Sequence, residues 1–187
     1  MTDRTIVELR CSAIVFREER LLLLRRRRDS TEDWVLPGGH PRPREGAAAC
    51  VEREVLEETG IRNQAPRVAF VLEATDPAGD RRLIEVVFLA GERDGRTDPR
   101  ATEPGAQAVF VPVEDTPGLT LRPPLAGYLR GLHRTQLRST APYLGNLWRD
   151  LGGDSIEEGT VAPGEPSVPS TRSARLCAAV TTCGAPP

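Results

Sequence analysis

The chain has no lysine: all 25 of its basic residues are arginine. Against 27 acidic residues they leave a formal net charge of −2, with a pI near 5.8. That balance excludes the broad positive field by which proteins hold DNA or RNA polymers. Aromatic residues make up only 4% of the chain, too few for a run of base-stacking platforms. No stretch approaches the ~18 apolar residues of a membrane span, and the early run Leu21–Leu24 is bounded by arginines. The opening "MTDRTIVELR" lacks the charged-then-apolar pattern of a signal peptide. Four cysteines, Cys11, Cys50, Cys177 and Cys183, match no zinc or redox spacing and are too sparse for a disulfide scaffold. These absences point to a globular protein of the reducing cytoplasm, with neither nucleic-acid polymer nor membrane as partner.

The 187 residues suit one domain with a tail. "TIVELRCSAIVFRE" and "LLLLRR" around "REER" read as a hairpin, followed by a loop "RRDSTED" and a short strand "WVL" that Pro37-Gly38-Gly39 stops. Glu45 to Thr59 are good helix formers, and Gly60 stands where a helix C′ glycine belongs. Two more strands flank the turn "TDPAGD"; "QAVFVPV" is another, and "PPLAGYLRGLHRT" a second helix opened by proline. The strands come in hairpins, not in βα alternation, which predicts a mixed sheet with helices packed on it, an α+β or layered α/β/α domain. We place that domain at residues 1–135 and a C-terminal extension at 136–187, largely disordered from about 150, where Gly, Pro, Ser, Thr and Ala dominate. "YLGNLWRDL" is the one segment of the extension expected to dock.

The stretch "GGHPRPREGAAACVEREVLEETGI" crowds three glutamates, Glu54, Glu57 and Glu58, into five residues. On a helix Glu54 lies beside both others, and back along that line come the small Cys50 and Ala47. Ala48, Val51 and Val55 form a neighbouring apolar stripe able to dock the helix on a sheet. Three carboxylates converging on one spot repel each other. A hard dication, Mg²⁺ or Mn²⁺, removes the problem and suits a phosphate substrate. The plainer reading is a solvated acidic helix with Arg53–Glu57 as an i,i+4 pair.

The preceding loop decides between them. The pattern is Gly39, five residues, Glu45, seven residues, Arg53-Glu54-Val55, one residue, Glu57-Glu58, one residue, Gly60-Ile61. It resembles the Nudix box at every defined position, a match expected by chance on the order of once in 10⁸ start positions. The hairpin and the approach "WVLPGGH" resemble the family as well, and the order of elements fits from about Thr5 to His133.

The resemblance implies an α/β/α sandwich with the box as loop–helix–loop. It implies hydrolysis of a nucleoside diphosphate linked to a moiety X (an NTP or dNTP, a nucleotide sugar or ADP-ribose) by water attack on phosphorus with Mg²⁺ or Mn²⁺. Carried over, Glu54, Glu57 and Glu58 hold the metal, Glu54 instead or also serving as base, with the Gly38 carbonyl as backbone ligand. Arg53 pairs with a box glutamate, foremost Glu45, and fixes geometry. Arg44 stands where the family commonly has glycine. A later carboxylate often completes the site, and Glu103 is the candidate here; Glu114 reads instead as a helix-opening residue.

Of the arginines ending the second strand, alternation lets two face a substrate, Arg25 and Arg27, and Trp34 is placed to stack on a base. His40 sits in the loop beside the site, and Pro77 needs no more than turn chemistry. A possible homodimer completes the expectations. The competing reading is a catalytically silent Nudix-fold sensor that binds a nucleotide, against which the complete box argues.

Overall fold

The computed structural model describes residues 6–28, 31–75, 81–93, 97–100, 105–136 and 142–147. Strand β1 (Ile6–Arg17) and strand β2 (Arg20–Arg28) form the expected hairpin, paired at Phe16–Leu21 and Arg17–Arg20. Beyond that tip the strands part company. β2 runs antiparallel to β3 (Thr31–Val35) on one side and to β7 (Ala106–Pro112) on the other. β1 runs parallel to β6 (Arg81–Glu92), which pairs with β5 (Asn63–Thr75), and β5 in turn with β8 (Tyr143–Asn146). A two-residue strand β4 (Gly38–Gly39) lies against Cys11 and Ser12 of β1. The hairpin therefore feeds two sheets that diverge from one corner.

Alternation along the strands builds a core on each face. Cys11, Ala13 and Val15 of β1 join Val51 and Val55 of helix α1 (Ala47–Thr59). Ile14 joins Leu125, Leu129 and Leu132 on the other face, two of them from helix α2 (Ala126–Arg134). This is the α/β/α arrangement with a mixed sheet that the order of elements suggested. Among the described residues, no helix is long and apolar enough to cross a membrane.

Local differences have local causes. β3 begins at Thr31, inside the stretch read as loop, because Thr31, Glu32 and Asp33 pair with Arg28, Arg27 and Arg26. Helix α1 begins at Ala47, with extended Gly46 as N-cap, so Glu45 precedes the helix instead of opening it. Cys50, read as part of the carboxylate face, is fully buried. The prolines before α2 lie outside the helix, and a 3-10 helix (Val113–Gly118) precedes them. Glu114 sits in the first turn of that helix and binds Arg130 and Arg134 of α2. Tyr143–Asn146, from the segment expected to dock, forms β8. Pro77 with the rest of the "TDPAGD" turn after Thr75, and the tail from 150, lie outside the described residues.

Candidate active site

Helix α1 is anchored at both ends. At its C-terminus Gly60 takes the left-handed conformation (φ 72°), and its N–H reaches the Leu56 carbonyl at 2.9 Å. A side chain resists that backbone and glycine does not. The Arg100 N–H caps the Thr59 carbonyl at 2.8 Å. Midway, Glu52 ties the helix to β5 by accepting the Ala65 N–H at 3.2 Å.

At the other end Arg53 organises the acids. Its Nε and Nη2 donate to the two oxygens of Glu45 at 2.7 and 2.8 Å, a fork-to-fork pair. Its Nη1 donates to Glu54 at 2.6 Å and to Glu57 at 3.0 Å. Arg42 of the preceding loop adds an N–H to Glu45 at 2.8 Å and a guanidinium contact to Glu57 at 3.1 Å. The guanidinium of Arg53, joined by the Arg42 backbone N–H, pulls the Glu45 carboxyl from its ordinary 4.5 down to about 2. Reciprocally, Glu45 first, then Glu54 and Glu57, raise Arg53 further above its already basic value. Arg44 turns the loop in the left-handed region (φ 68°), the conformation that favours a glycine there.

Glu54 and Glu58 lie against the loop glycines. The Gly38 N–H donates to Glu58 at 2.8 Å. A Cβ on Gly39 would overlap the carboxylate of Glu54, so only glycine lets that acid reach its place. Beneath them, burial pushes the Cys50 thiol up to about 12, which keeps it protonated and unreactive at neutral pH.

The three glutamates are held by separate donors. Arg53 holds Glu54 and Glu57, while the Gly38 N–H holds Glu58. These positive donors offset part of the like-charge repulsion among the acids. The Gly38 group seen to engage an acid is its N–H.

The remaining candidates divide. Arg25 donates to Glu32 at 2.6 Å and lies over the Trp34 ring, 5.7 Å from its centre. Arg27 also reaches Glu32, at 3.4 Å. Trp34 packs on the α2-side core, its backbone N–H bound to the Thr120 carbonyl. Strand alternation sends Arg26 the other way, onto Asp33 at 3.0 and 3.1 Å, where it lines a cleft between the two sheets. His40 binds the Leu9 carbonyl through Nδ1. Glu103 lies outside the described residues. Sequence reasoning missed Arg42, whose role depends on how the loop folds back, and Glu85, a buried acid inside the apolar strand "LIEVVF" that accepts the Ser12 hydroxyl.

Comparison with known proteins closes the matter of family. The NUDIX domain profile matches residues 8–132. The chain belongs to the Nudix family. Its Nudix fold superposes on a NUDIX hydrolase from Nitrosomonas europaea with TM-score 0.60 and 20% identity, covering 71% of this chain and 92% of that one. A MutT protein from Methanosarcina mazei Go1 gives TM-score 0.58 and 25% identity over 71% and 96% of the two chains. An ADP-ribose pyrophosphatase from Streptococcus suis 89-1591 gives 0.56 and 23% over 74% and 97%. With its complete box, this Nudix chain is a hydrolase of the pyrophosphohydrolase class.

Proposed function

We propose that the chain cleaves the phosphoanhydride bond of a nucleoside diphosphate linked to a moiety X, with Mg²⁺ or Mn²⁺ as cofactor. The observation that carries this reading is the lattice centred on Arg53, which presents Glu54 and Glu57 beside a loop glycine shaped around Glu54. The donor set fits a hard dication: Glu54, Glu57 and Glu58 offer only oxygen, and the missing Cβ of Gly39 leaves room for the first of them. These three residues would hold the ion, with the Gly38 carbonyl beside them. A bound dication polarises the phosphoryl oxygens and acidifies the attacking water.

The chain's own groups supply the rest. Water attacks phosphorus, the bridging P–O bond breaks, and the proton lost by the water passes to the Glu54 carboxylate. Arg53, clamped by Glu45, fixes the direction of that carboxylate and is a positioning residue. Glu103 is proposed as a further carboxylate of the site. Related structures are named for different substrates, an ADP-ribose pyrophosphatase and a UDP-X diphosphatase among them, so X must be found by assay.

The test is product release from NTPs, oxidised dGTP, nucleotide sugars, ADP-ribose and dinucleoside polyphosphates, each with Mg²⁺ or Mn²⁺. Metal-dependent turnover that disappears in Glu58→Gln supports the reading. Nucleotide binding without turnover on any member would replace it with a silent sensor.

A further inference from the structure

The two arginines that touch Glu57 are held in different ways. The Arg53 side chain is 16% exposed and is forked on Glu45 as well as bound to Glu54 and Glu57. The Arg42 side chain is 62% exposed. Among the described residues its guanidinium reaches Glu57 alone, through Nη2 at 3.1 Å from Oε1 and 3.5 Å from Oε2. Oε2 is the oxygen that Arg53 holds at 3.0 Å. The two guanidinium groups thus divide one carboxylate between them.

The backbone beneath Arg42 is fixed without help from its side chain. Its N–H donates to Glu45 at 2.8 Å, and its carbonyl accepts the Glu45 N–H at 2.9 Å. Pro41 and Pro43 stand on either side, which restricts the chain there further. An exposed side chain with several rotatable bonds on such a mount can change partners while the loop stays in place.

Glu57 belongs with Glu54 and Glu58 to the oxygen set that fits a hard dication. A dication and a guanidinium on the same carboxylate repel each other. An exposed ion pair contributes little, so Arg42 yields before Arg53, whose fork on Glu45 keeps it in place. The anion that a released guanidinium matches is a phosphate, because its planar fork of N–H donors fits two phosphate oxygens.

Resting on the pyrophosphohydrolase reading above, we propose that Arg42 exchanges Glu57 for a phosphate of the substrate when the dication binds. The side chain competes with the ion and partners the substrate, so its removal should shift the two affinities in opposite directions.

The experiment has two titrations of the full chain. In the first, Mn²⁺ is added and the free ion is counted by its paramagnetic resonance signal. In the second, methylenediphosphonate, an uncleavable analogue of pyrophosphate, is titrated calorimetrically in saturating Mg²⁺. Arg42→Ala should bind Mn²⁺ about threefold tighter than the wild type and methylenediphosphonate about tenfold more weakly. Arg42→Lys keeps the charge and should return Mn²⁺ affinity to the wild-type value. In a Glu57→Gln background, Arg42→Ala should leave Mn²⁺ binding unchanged, since the shared carboxylate is gone. A thermal melt shows that each variant folds, and Arg42→Gln replaces Arg42→Ala if the latter does not. Mn²⁺ affinity that is unchanged or lower in the uncharged variants overturns the proposal. So does diphosphonate binding that is indifferent to them, or an Arg42→Lys chain that binds Mn²⁺ as Arg42→Ala does. The two readings fail separately: Mn²⁺ binding that ignores Arg42 removes the exchange alone, whereas a wild type that binds no Mn²⁺ removes the metal-dependent hydrolase and the exchange with it.

Discussion

The two faces of the sheet are built from different materials. Toward α1 the strand β1 presents Cys11, Ala13 and Val15, small side chains that let the helix approach closely. Beside that contact the Arg53 lattice arranges four charged groups within hydrogen-bond distance. Toward α2 the same strand presents Ile14 into a core of leucines, which leads to the apolar cleft with its single acid. Close approach and charge gather on one face, apolar side chains on the other. One strand serves both because its side chains alternate.

The largest separation of the faces should come from Glu57→Gln. Turnover on the substrate found by assay should fall more than about a hundredfold while the melting temperature holds, since Glu57 is half-exposed. Near-wild-type kcat would end the assignment of chemistry to the α1 face. The converse is Leu129→Ala. A fully buried leucine of α2 removed to alanine should cost about 2–5 kcal/mol in denaturant unfolding, with kcat per folded molecule unchanged; a matching loss of kcat would mean that the faces are not separable. Gly39→Ala should act mainly on turnover: its methyl group displaces the carboxylate end of Glu54, so kcat should fall while the melting temperature changes little.

Acid sharpens the comparison further. Glu45 is held at about 2 instead of 4.5, so the folded chain binds fewer protons than the unfolded chain between those values. Its contribution is complete above about 4.5 and is lost as pH falls toward about 2. Melting curves across that window should show the loss in the wild type and a shallower one in Glu45→Gln. The smallest effect concerns Arg44, whose left-handed backbone costs about 1–2 kcal/mol in a non-glycine residue. Arg44→Gly recovers part of that and should raise the melting temperature slightly; a fall would show that the arginine side chain holds the loop.

Much of this was legible in the sequence, and unevenly so. The α1 face was readable because its spacing is local: Glu45, Arg53 and the glutamates follow from one helix and one loop, and Gly60 marks the helix end. The donors that hold the acids were less readable, since the Arg42 side chain and the Gly38 N–H reach them only through the folding of the loop. The opposite face was hardly readable. Which of Arg25, Arg26 and Arg27 enters the cleft depends on strand facing, set by pairing with β3 and β7. Glu85 meets Ser12 across 73 residues, and no local pattern announces such a partner.

Strand β1 meets β6 at ten successive positions, from Ile6–Arg81 to Val15–Ala90. It is thus a ruler shared by both faces. Deleting one residue between Val7 and Cys11 would exchange the assignments of part of the strand at once. Ser12 would turn from Glu85 toward α1 or pull Gly38 out of line with Glu58. A single-residue deletion there would disturb the packing on both faces, and no second substitution on either face alone could repair it.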